Sequence, residues 1–421
     1  MERFRVEGGH RLSGAVRVHC AKNAVLPILA GAILADDPTT VLDCPDIADV
    51  SNMVRILQTL GCEVSAQGAA LRVDPSSIHS DTMPEDLSKR LRSSVFMMGA
   101  LLGRLRRAVV PYPGGCEIGQ RPIDLHLSGL TALGVDIREE GGLVVCDGGR
   151  MRGGEVHLDY PSVGATENVM MAAARIPGRT VIHNAAREPE IADLQRFLNA
   201  CGARIAGAGS ATIEIEGVRR MRGATYRPMP DRIEAGTLLA AAAATGGEVE
   251  LTDAPVEELG AVMAKLREMG CRVEAGAGRV ALAAPPRLDS PGQLITLPYP
   301  GFPTDMQAQM LALTCCARGT SIITETVFEN RFTHVGDLRR MGANIVVKDR
   351  TAIVRGVRSL HGARVCARDL RGGAALLIAG LAAHGETVVE GAELIDRGYE
   401  RLEWMLGGLG ARIRRERQTD E

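Results

Sequence analysis

A short phrase recurs six times along the chain and limits the fold more than any other feature. It reads Leu60-Gly61-Cys62-Glu63-Val64, Leu133-Gly134-Val135-Asp136-Ile137, Cys201-Gly202-Ala203-Arg204-Ile205, Met269-Gly270-Cys271-Arg272-Val273, Met341-Gly342-Ala343-Asn344-Ile345 and Leu409-Gly410-Ala411-Arg412-Ile413. Successive glycines lie 73, 68, 68, 72 and 68 residues apart, a period that marks an internally repeated architecture. Each glycine is expected where a helix stops in the left-handed conformation, which glycine reaches at little cost, and a β-branched residue then starts a strand. Upstream runs an amphipathic helix, as in Met53, Ile56, Leu57, Leu60 and in Leu402, Met405, Leu406, Leu409, both spaced i, i+3, i+4, i+7. Ahead of that helix stands a β-rich run such as Thr180-Val181-Ile182 or Thr387-Val388-Val389, and two alternating segments around a turn follow the glycine. Each unit therefore reads strand, helix, hairpin, second helix.

The sixth copy breaks off in Arg-Arg-Glu-Arg-Gln-Thr-Asp-Glu without its second hairpin strand. The other end of the chain supplies a match: Phe4-Arg5-Val6-Glu7-Gly8 followed by Arg11 to Val18 parallels Ile213 to Gly217 followed by Arg220 to Ala224. The spacing thus predicts an α/β protein of two three-unit domains. One spans residues 22–229; the other joins 230–421 to 1–21. Two connections, at about 21–22 and 229–230, would make a hinge with a cleft beside it.

Composition narrows the function. The 421 residues are 45% apolar and 24% charged, which excludes a disordered chain. With only six Phe, five Tyr and one Trp, the core must be filled by aliphatic residues, and a net charge of −2 gives no global field for nucleic acid or an anionic membrane. Basic runs such as Arg104 to Arg107 lack the interleaved aromatics on which bases stack. No apolar stretch follows a basic start, and the uncharged run Ala24 to Ala35 is shorter than the ~20 residues that span a bilayer, so a cytoplasmic protein is expected. The ten cysteines form no Cys-x-x-Cys pair and read mostly as small buried hydrophobes. His126 and His334 read as orienting or structural groups, since no second ligand stands at metal spacing; no metal is expected.

Departures from the repeat distinguish an enzyme from a repeat scaffold that merely binds. Polar groups cluster at expected helix starts, among them Lys22-Asn23, Arg92, Ser162 to Thr166, Asp231-Arg232, Thr304-Asp305, Arg331, Asp369 to Arg371 and Asp396-Arg397. A helix N-terminus repels a cation but suits an anion that takes both the exposed N–H groups and a guanidinium fork. Lys22, Arg92, Arg121, Arg331, Arg371 and Arg397, read as equivalent positions, point to a site for several negative charges. The segment Pro111-Tyr112-Pro113-Gly114-Gly115-Cys116-Glu117-Ile118-Gly119-Gln120-Arg121-Pro122 is a long loop the repeat does not require. Arg121, five residues beyond Cys116, favours its thiolate, which makes the cysteine a candidate nucleophile or proton donor.

The Pro113 to His126 segment, with Ala21-Lys22-Asn23-Ala24, Ser162-Val163-Gly164-Ala165-Thr166, Ala185 to Glu190, Phe302 to Gln309, Phe328 to Phe332 and Asp396 to Arg401, closely resembles the UDP-N-acetylglucosamine enolpyruvyl transferases. The resemblance covers the whole chain. It implies two inside-out α/β domains of three units each, and transfer of the enolpyruvyl group of phosphoenolpyruvate to the 3-hydroxyl of UDP-N-acetylglucosamine with release of phosphate, the opening step of peptidoglycan synthesis. It implies Cys116 as proton donor and site of a covalent substrate adduct, and Asp305 as base. Lys22, Arg121 and Arg397 match the phosphate-binding cations, Arg331 and Arg371 stand near the carboxylate, and Asn23 belongs with this set. For the sugar nucleotide it implies Asn23, Arg92, Arg121, Pro122, Ile123, Asp124, Leu125, Ser162, Val163, Gly164, Asp305 and Val327. No cofactor, nucleic acid or membrane partner is implied. Tyr112, Phe96, Tyr160-Pro161 and Gly372-Gly373 depart from the family's forms, and Tyr160-Pro161 bears on the uracil subsite. The shikimate-pathway enolpyruvyl transferases share phosphoenolpyruvate but lack the cysteine loop.

Overall fold

The computed structural model describes residues 2–112 and 123–417. They fall into two compact units, one of residues 2–19 and 230–417, the other of 20–112 and 123–229. The chain passes from one to the other at 19–20 and again at 229–230.

All six repeated glycines carry positive φ, from +87° at Gly134 to +102° at Gly61. The hydrogen bonds around them are the same each time. Gly61 N–H donates to Gln58 O and Cys62 N–H to Leu57 O, and Gly410 N–H donates to Gly407 O and Ala411 N–H to Leu406 O. This is the double closure that satisfies the last carbonyls of a helix, and a Cβ would strain the left-handed residue. The apolar positions of the preceding helices, including Met53, Ile56, Leu57, Leu402, Met405 and Leu406, are buried.

In the unit of residues 2–19 and 230–417, three four-stranded sheets surround three helices, Arg232–Ala244, Gln307–Thr314 and Leu370–Ala382. These helices are buried on nearly every face, so Ala, Gly and Leu prevail where an amphipathic helix would carry charge. The strand Glu2–Glu7 lies between Arg412–Arg417 and Glu386–Glu390, antiparallel to both, and fills the place of the missing hairpin strand. The unit of residues 20–112 and 123–229 repeats the plan around Lys22–Gly31, Met97–Leu105 and Val163–Ala174.

One element differs from the sequence reading. After each hairpin, before the buried helix, a short segment crosses to the sheet of another repeat and pairs there in parallel. Ser13–Arg17 joins Glu248–Thr252, Glu155–His157 joins Arg179–His183, Thr225–Tyr226 joins Thr39–Val41, Gln293–Ile295 joins Thr320–Thr324, and Arg364–Cys366 joins Glu386–Glu390. At Thr82 the crossing shrinks to a single bridge to Val109. The repeats are laced together: among the described residues five of the six sheets take a strand from another repeat, and the three-stranded sheet of Arg107–Pro111, Asp136–Glu140 and Leu143–Asp147 takes only the Thr82 bridge. Among the described residues no helix is long and apolar enough to cross a membrane.

Candidate active site

In the unit of residues 230–417, the buried helices begin with polar groups that meet. Asp305 lies in the 3-10 turn Thr304–Met306 that leads into Gln307–Thr314. Its Oδ1 accepts from Arg331 Nη2 at 2.8 Å, and its Oδ2 from Arg371 Nη2 at 3.0 Å and Nε at 3.2 Å. Both guanidinium groups are deeply buried, Arg331 at 5% exposure and Arg371 at 3%. Burial opposes the Arg371 charge, but Tyr399, Asp305 and Asp231 outweigh it and hold the guanidinium above its ordinary pKa. Its outer face is covered by the Tyr399 ring, 5.2 Å from centroid to Cζ, and Arg331 stands 4.9 Å over Phe328. The Tyr399 hydroxyl is fixed in turn by Thr237 Oγ1 at 2.9 Å and by Gln309 Nε2 at 3.3 Å.

Arg371 sits in the first turn of Leu370–Ala382, where a cation is intrinsically disfavoured. Asp369 offsets this as N-cap: its Oδ1 accepts from the N–H groups of Arg371 at 3.0 Å and Gly372 at 2.9 Å, and its Oδ2 from Thr333 Oγ1. Arg371 Nη1 is buried and has no hydrogen-bond partner among the described residues. An unpaired buried donor of a charged group costs stability unless an acceptor arrives, and a carboxylate oxygen is the acceptor such a fork fits best.

The five described cations of the six are not equivalent as the spacing suggested. Lys22 and Arg371 do stand in the first turns of buried helices, and Arg92 opens a 3-10 turn. Arg331 instead occupies the loop ahead of Val335–Arg340, and Arg397 the turn between Ala392–Ile395 and Leu402–Gly408. The neighbouring Asp396 serves the fold, clamping Arg415 with both oxygens. Arg397 is half-buried two residues before Tyr399.

In the unit of residues 20–229, Lys22 Nζ lies 3.4 Å from the buried Asp49. Ser162 caps Val163–Ala174, accepting from Ala165 N–H, and Thr166 in that first turn holds Ala186 N–H. Asn23, Ser162, Val163 and Gly164 are partly exposed, as is Leu125; Ile123 is buried and Asp124 exposed. In the other unit Val327 is partly exposed. Cys116, Arg121 and Pro122 lie outside the described residues, as does the Arg92 side chain.

His126 proves to be a support for this region. A Cβ on Gly164 would come within 2.8 Å of its ring, so the histidine sets the floor under the 162–164 turn. Asn168 Oδ1 accepts from Gly99 N–H, which leaves its amide to donate to Val95 O and to His126 Nδ1 at 2.7 Å. Nδ1 is therefore an acceptor and the ring neutral; burial pushes its pKa down to about 4, against a small opposing pull from Asp124. Because the unfolded chain binds this proton near pH 6.5, the contribution is intact above that pH and is lost as pH falls toward 4. Between pH 7 and pH 5 the parent should lose about 2 kcal/mol more stability in urea unfolding than His126→Gln does. An unchanged pH dependence in that variant would remove His126 from the account. His334, fully buried with neither ring nitrogen bonded among the described residues, is pushed in the same direction.

The thiols behave as the composition suggested. Seven of the nine described cysteines are buried, and burial pushes Cys62, Cys201 and Cys271 up to about 11 and Cys146 to about 12. No group of three or more His, Cys, Asp or Glu among the described residues is placed to hold a metal. The sequence reading gave no role to Glu325, Thr237 or Gln309, buried polar groups bonded to Thr304 or to the Tyr399 hydroxyl.

Residues 6–406 match the family described as EPSP synthase (3-phosphoshikimate 1-carboxyvinyltransferase). Among curated proteins the chain is 52% identical to UDP-N-acetylglucosamine 1-carboxyvinyltransferase 2 of Caldanaerobacter subterraneus, over 98% of this chain and 99% of that one. It is 48% identical to UDP-N-acetylglucosamine 1-carboxyvinyltransferase of Desulfovibrio desulfuricans, over 99% and 100%. Among solved structures, the enolpyruvyl transferase NikO of Streptomyces tendae superposes with a TM-score of 0.89 at 28% identity, over 98% of both chains. EPSP synthase of Acinetobacter baumannii shares the fold, with a TM-score of 0.75 at 18% identity over 99% and 100%.

Proposed function

From its membership of the EPSP synthase (3-phosphoshikimate 1-carboxyvinyltransferase) family, to which this chain belongs, we propose that it transfers the enolpyruvyl group of phosphoenolpyruvate to the 3-hydroxyl of UDP-N-acetylglucosamine and releases phosphate. Identity near 50% to proteins named UDP-N-acetylglucosamine 1-carboxyvinyltransferase supports this acceptor over shikimate 3-phosphate. The observation that carries the chemical reading is the buried Arg331–Asp305–Arg371 group with its unfilled Nη1 donor.

The reaction adds the sugar oxygen to C2 of phosphoenolpyruvate while C3 gains a proton; the tetrahedral adduct then loses phosphate and a C3 proton to leave the enol ether. Cys116 donates the C3 proton and Asp305 accepts the proton of the 3-hydroxyl. Arg331 and Arg371 take the carboxylate of phosphoenolpyruvate, and Asn23 is assigned to the same substrate. Competition for the guanidinium groups frees an Asp305 oxygen only when that substrate is bound. Lys22, Arg121 and Arg397 neutralise the phosphate in the adduct and as it leaves. Asn23, Arg92, Arg121, Pro122 to Leu125, Ser162 to Gly164, Asp305 and Val327 hold the sugar nucleotide. The proposed chemistry calls for no metal or organic cofactor. Its setting is the bacterial cytoplasm, where the product feeds peptidoglycan synthesis.

Arg371→Lys should raise the KM for phosphoenolpyruvate by roughly 10- to 100-fold, because an ammonium reproduces neither the two-point contact nor the stack on Tyr399. A KM within twofold of the parent would remove Arg371 from the carboxylate subsite. The acceptor is tested by calorimetric titration: UDP-N-acetylglucosamine should bind and shikimate 3-phosphate should not. The reverse would assign the chain to the shikimate reaction.

A further inference from the structure

Glu325 follows the strand Thr320–Thr324 and is 1% exposed, yet none of the roles above uses it. Its carboxyl gathers four donors from three segments. Oε1 accepts from Thr296 Oγ1 at 2.8 Å, Val327 N–H at 2.8 Å and Phe328 N–H at 3.1 Å. Oε2 accepts from Thr304 Oγ1 at 2.8 Å. Thr296 closes the arrangement by accepting from Thr326 N–H at 2.9 Å, while the Thr326 hydroxyl donates to Thr296 O.

The partners of this carboxyl are the feature that matters. Thr304 precedes Asp305 in the same 3-10 turn. Phe328 is the ring beneath Arg331, and Arg331 is bonded to Asp305. One buried group therefore fixes both the turn that carries the carboxylate and the segment that supports its guanidinium partner. A core that needed only stability would be served by apolar side chains here, since a buried carboxyl with four polar partners carries a large desolvation cost.

We propose that Glu325 is a positioning residue for the transfer reaction, fastening the Thr304–Asp305 turn to the 325–328 segment through the Thr304 hydroxyl. The proposal rests on the function assigned above to Asp305. Thr304→Val cuts this one link, keeps the side-chain shape, and leaves the bonds of Glu325 to Val327, Phe328 and Thr296. A displacement of the reacting group by a fraction of an ångström is costly to rate, so kcat should fall by about tenfold or more, with the KM for UDP-N-acetylglucosamine within about twofold. Thr304→Ser, which keeps the hydroxyl, should turn over within about twofold of the parent. A second variant tests the other end: Glu325→Gln keeps an acceptor for the two backbone N–H groups and lets the Thr304 hydroxyl turn round to accept from the amide. It should therefore lose less activity than Thr304→Val.

Hydrogen exchange separates failure of the clamp from failure of the assigned reaction. In the substrate-free protein, the peptide covering residues 302–308 should exchange at least about threefold faster in Thr304→Val than in the parent or in Thr304→Ser. Equal exchange in all three, or a parental kcat in Thr304→Val, overturns the proposal. A parent protein that releases no phosphate counts against the assigned reaction, and the exchange rates then decide the clamp alone.

Discussion

Asp305→Asn is expected to lower kcat for phosphate release by about 10²- to 10⁴-fold while binding phosphoenolpyruvate at least as tightly as the parent. The two effects have one origin. In the free protein the Asp305 carboxylate occupies the guanidinium forks of Arg331 and Arg371, so an incoming carboxylate must displace it. An amide still accepts from one arginine but turns a donor toward the other, which weakens the internal competitor. The same amide cannot accept the proton of the sugar hydroxyl, so the chemical step fails. A variant that retained more than a tenth of the parental kcat would remove Asp305 as the base. One that lost phosphoenolpyruvate binding together with turnover would show the carboxylate holding the arginines in shape and little else.

Cys116→Ala should remove turnover to a comparable degree, about 10²- to 10⁴-fold, because no other group is assigned to protonate C3. Fosfomycin, an epoxide that imitates phosphoenolpyruvate, offers an independent reading of the same thiol. Intact-mass analysis of the parent should show one adduct, mapped to Cys116, and none in Cys116→Ala. The competing thiols are suppressed by burial, which raises the pKa of Cys62, Cys146, Cys201, Cys271, Cys315 and Cys316 and so depletes the reactive thiolate. An adduct elsewhere, or none in the parent, would set Cys116 aside as the reactive thiol.

Much of the architecture was legible because glycine in the left-handed region has few substitutes: six phrases at a nearly fixed interval became six identical helix caps. The match between Phe4 to Gly8 and Ile213 to Gly217 likewise placed the strand Glu2–Glu7, because a hairpin strand buried on one face must alternate. The short crossing strands were missed since segments such as Glu155–His157 or Arg364–Cys366 are too brief to show alternation, and their partners belong to other repeats. At the site, the resemblance named Asp305, Arg331 and Arg371, while the expectation of cations at helix starts fits Lys22 and Arg371 but not Arg331 or Arg397. No pattern in the sequence announced that one carboxylate would bridge both guanidinium groups. Glu325 was invisible for a related reason: at the end of a β-rich run a glutamate reads as a solvated edge, and only the fold brings Thr296, Thr304 and the 327–328 backbone around it.

This chain moves an enolpyruvyl group onto a nucleotide sugar. Coupled phosphate release tests this transfer most directly, with phosphoenolpyruvate held constant and the acceptor varied. Phosphate should appear in proportion to UDP-N-acetylglucosamine consumed and stay at background with shikimate 3-phosphate. Release with shikimate 3-phosphate alone, or with neither acceptor, would contradict the account.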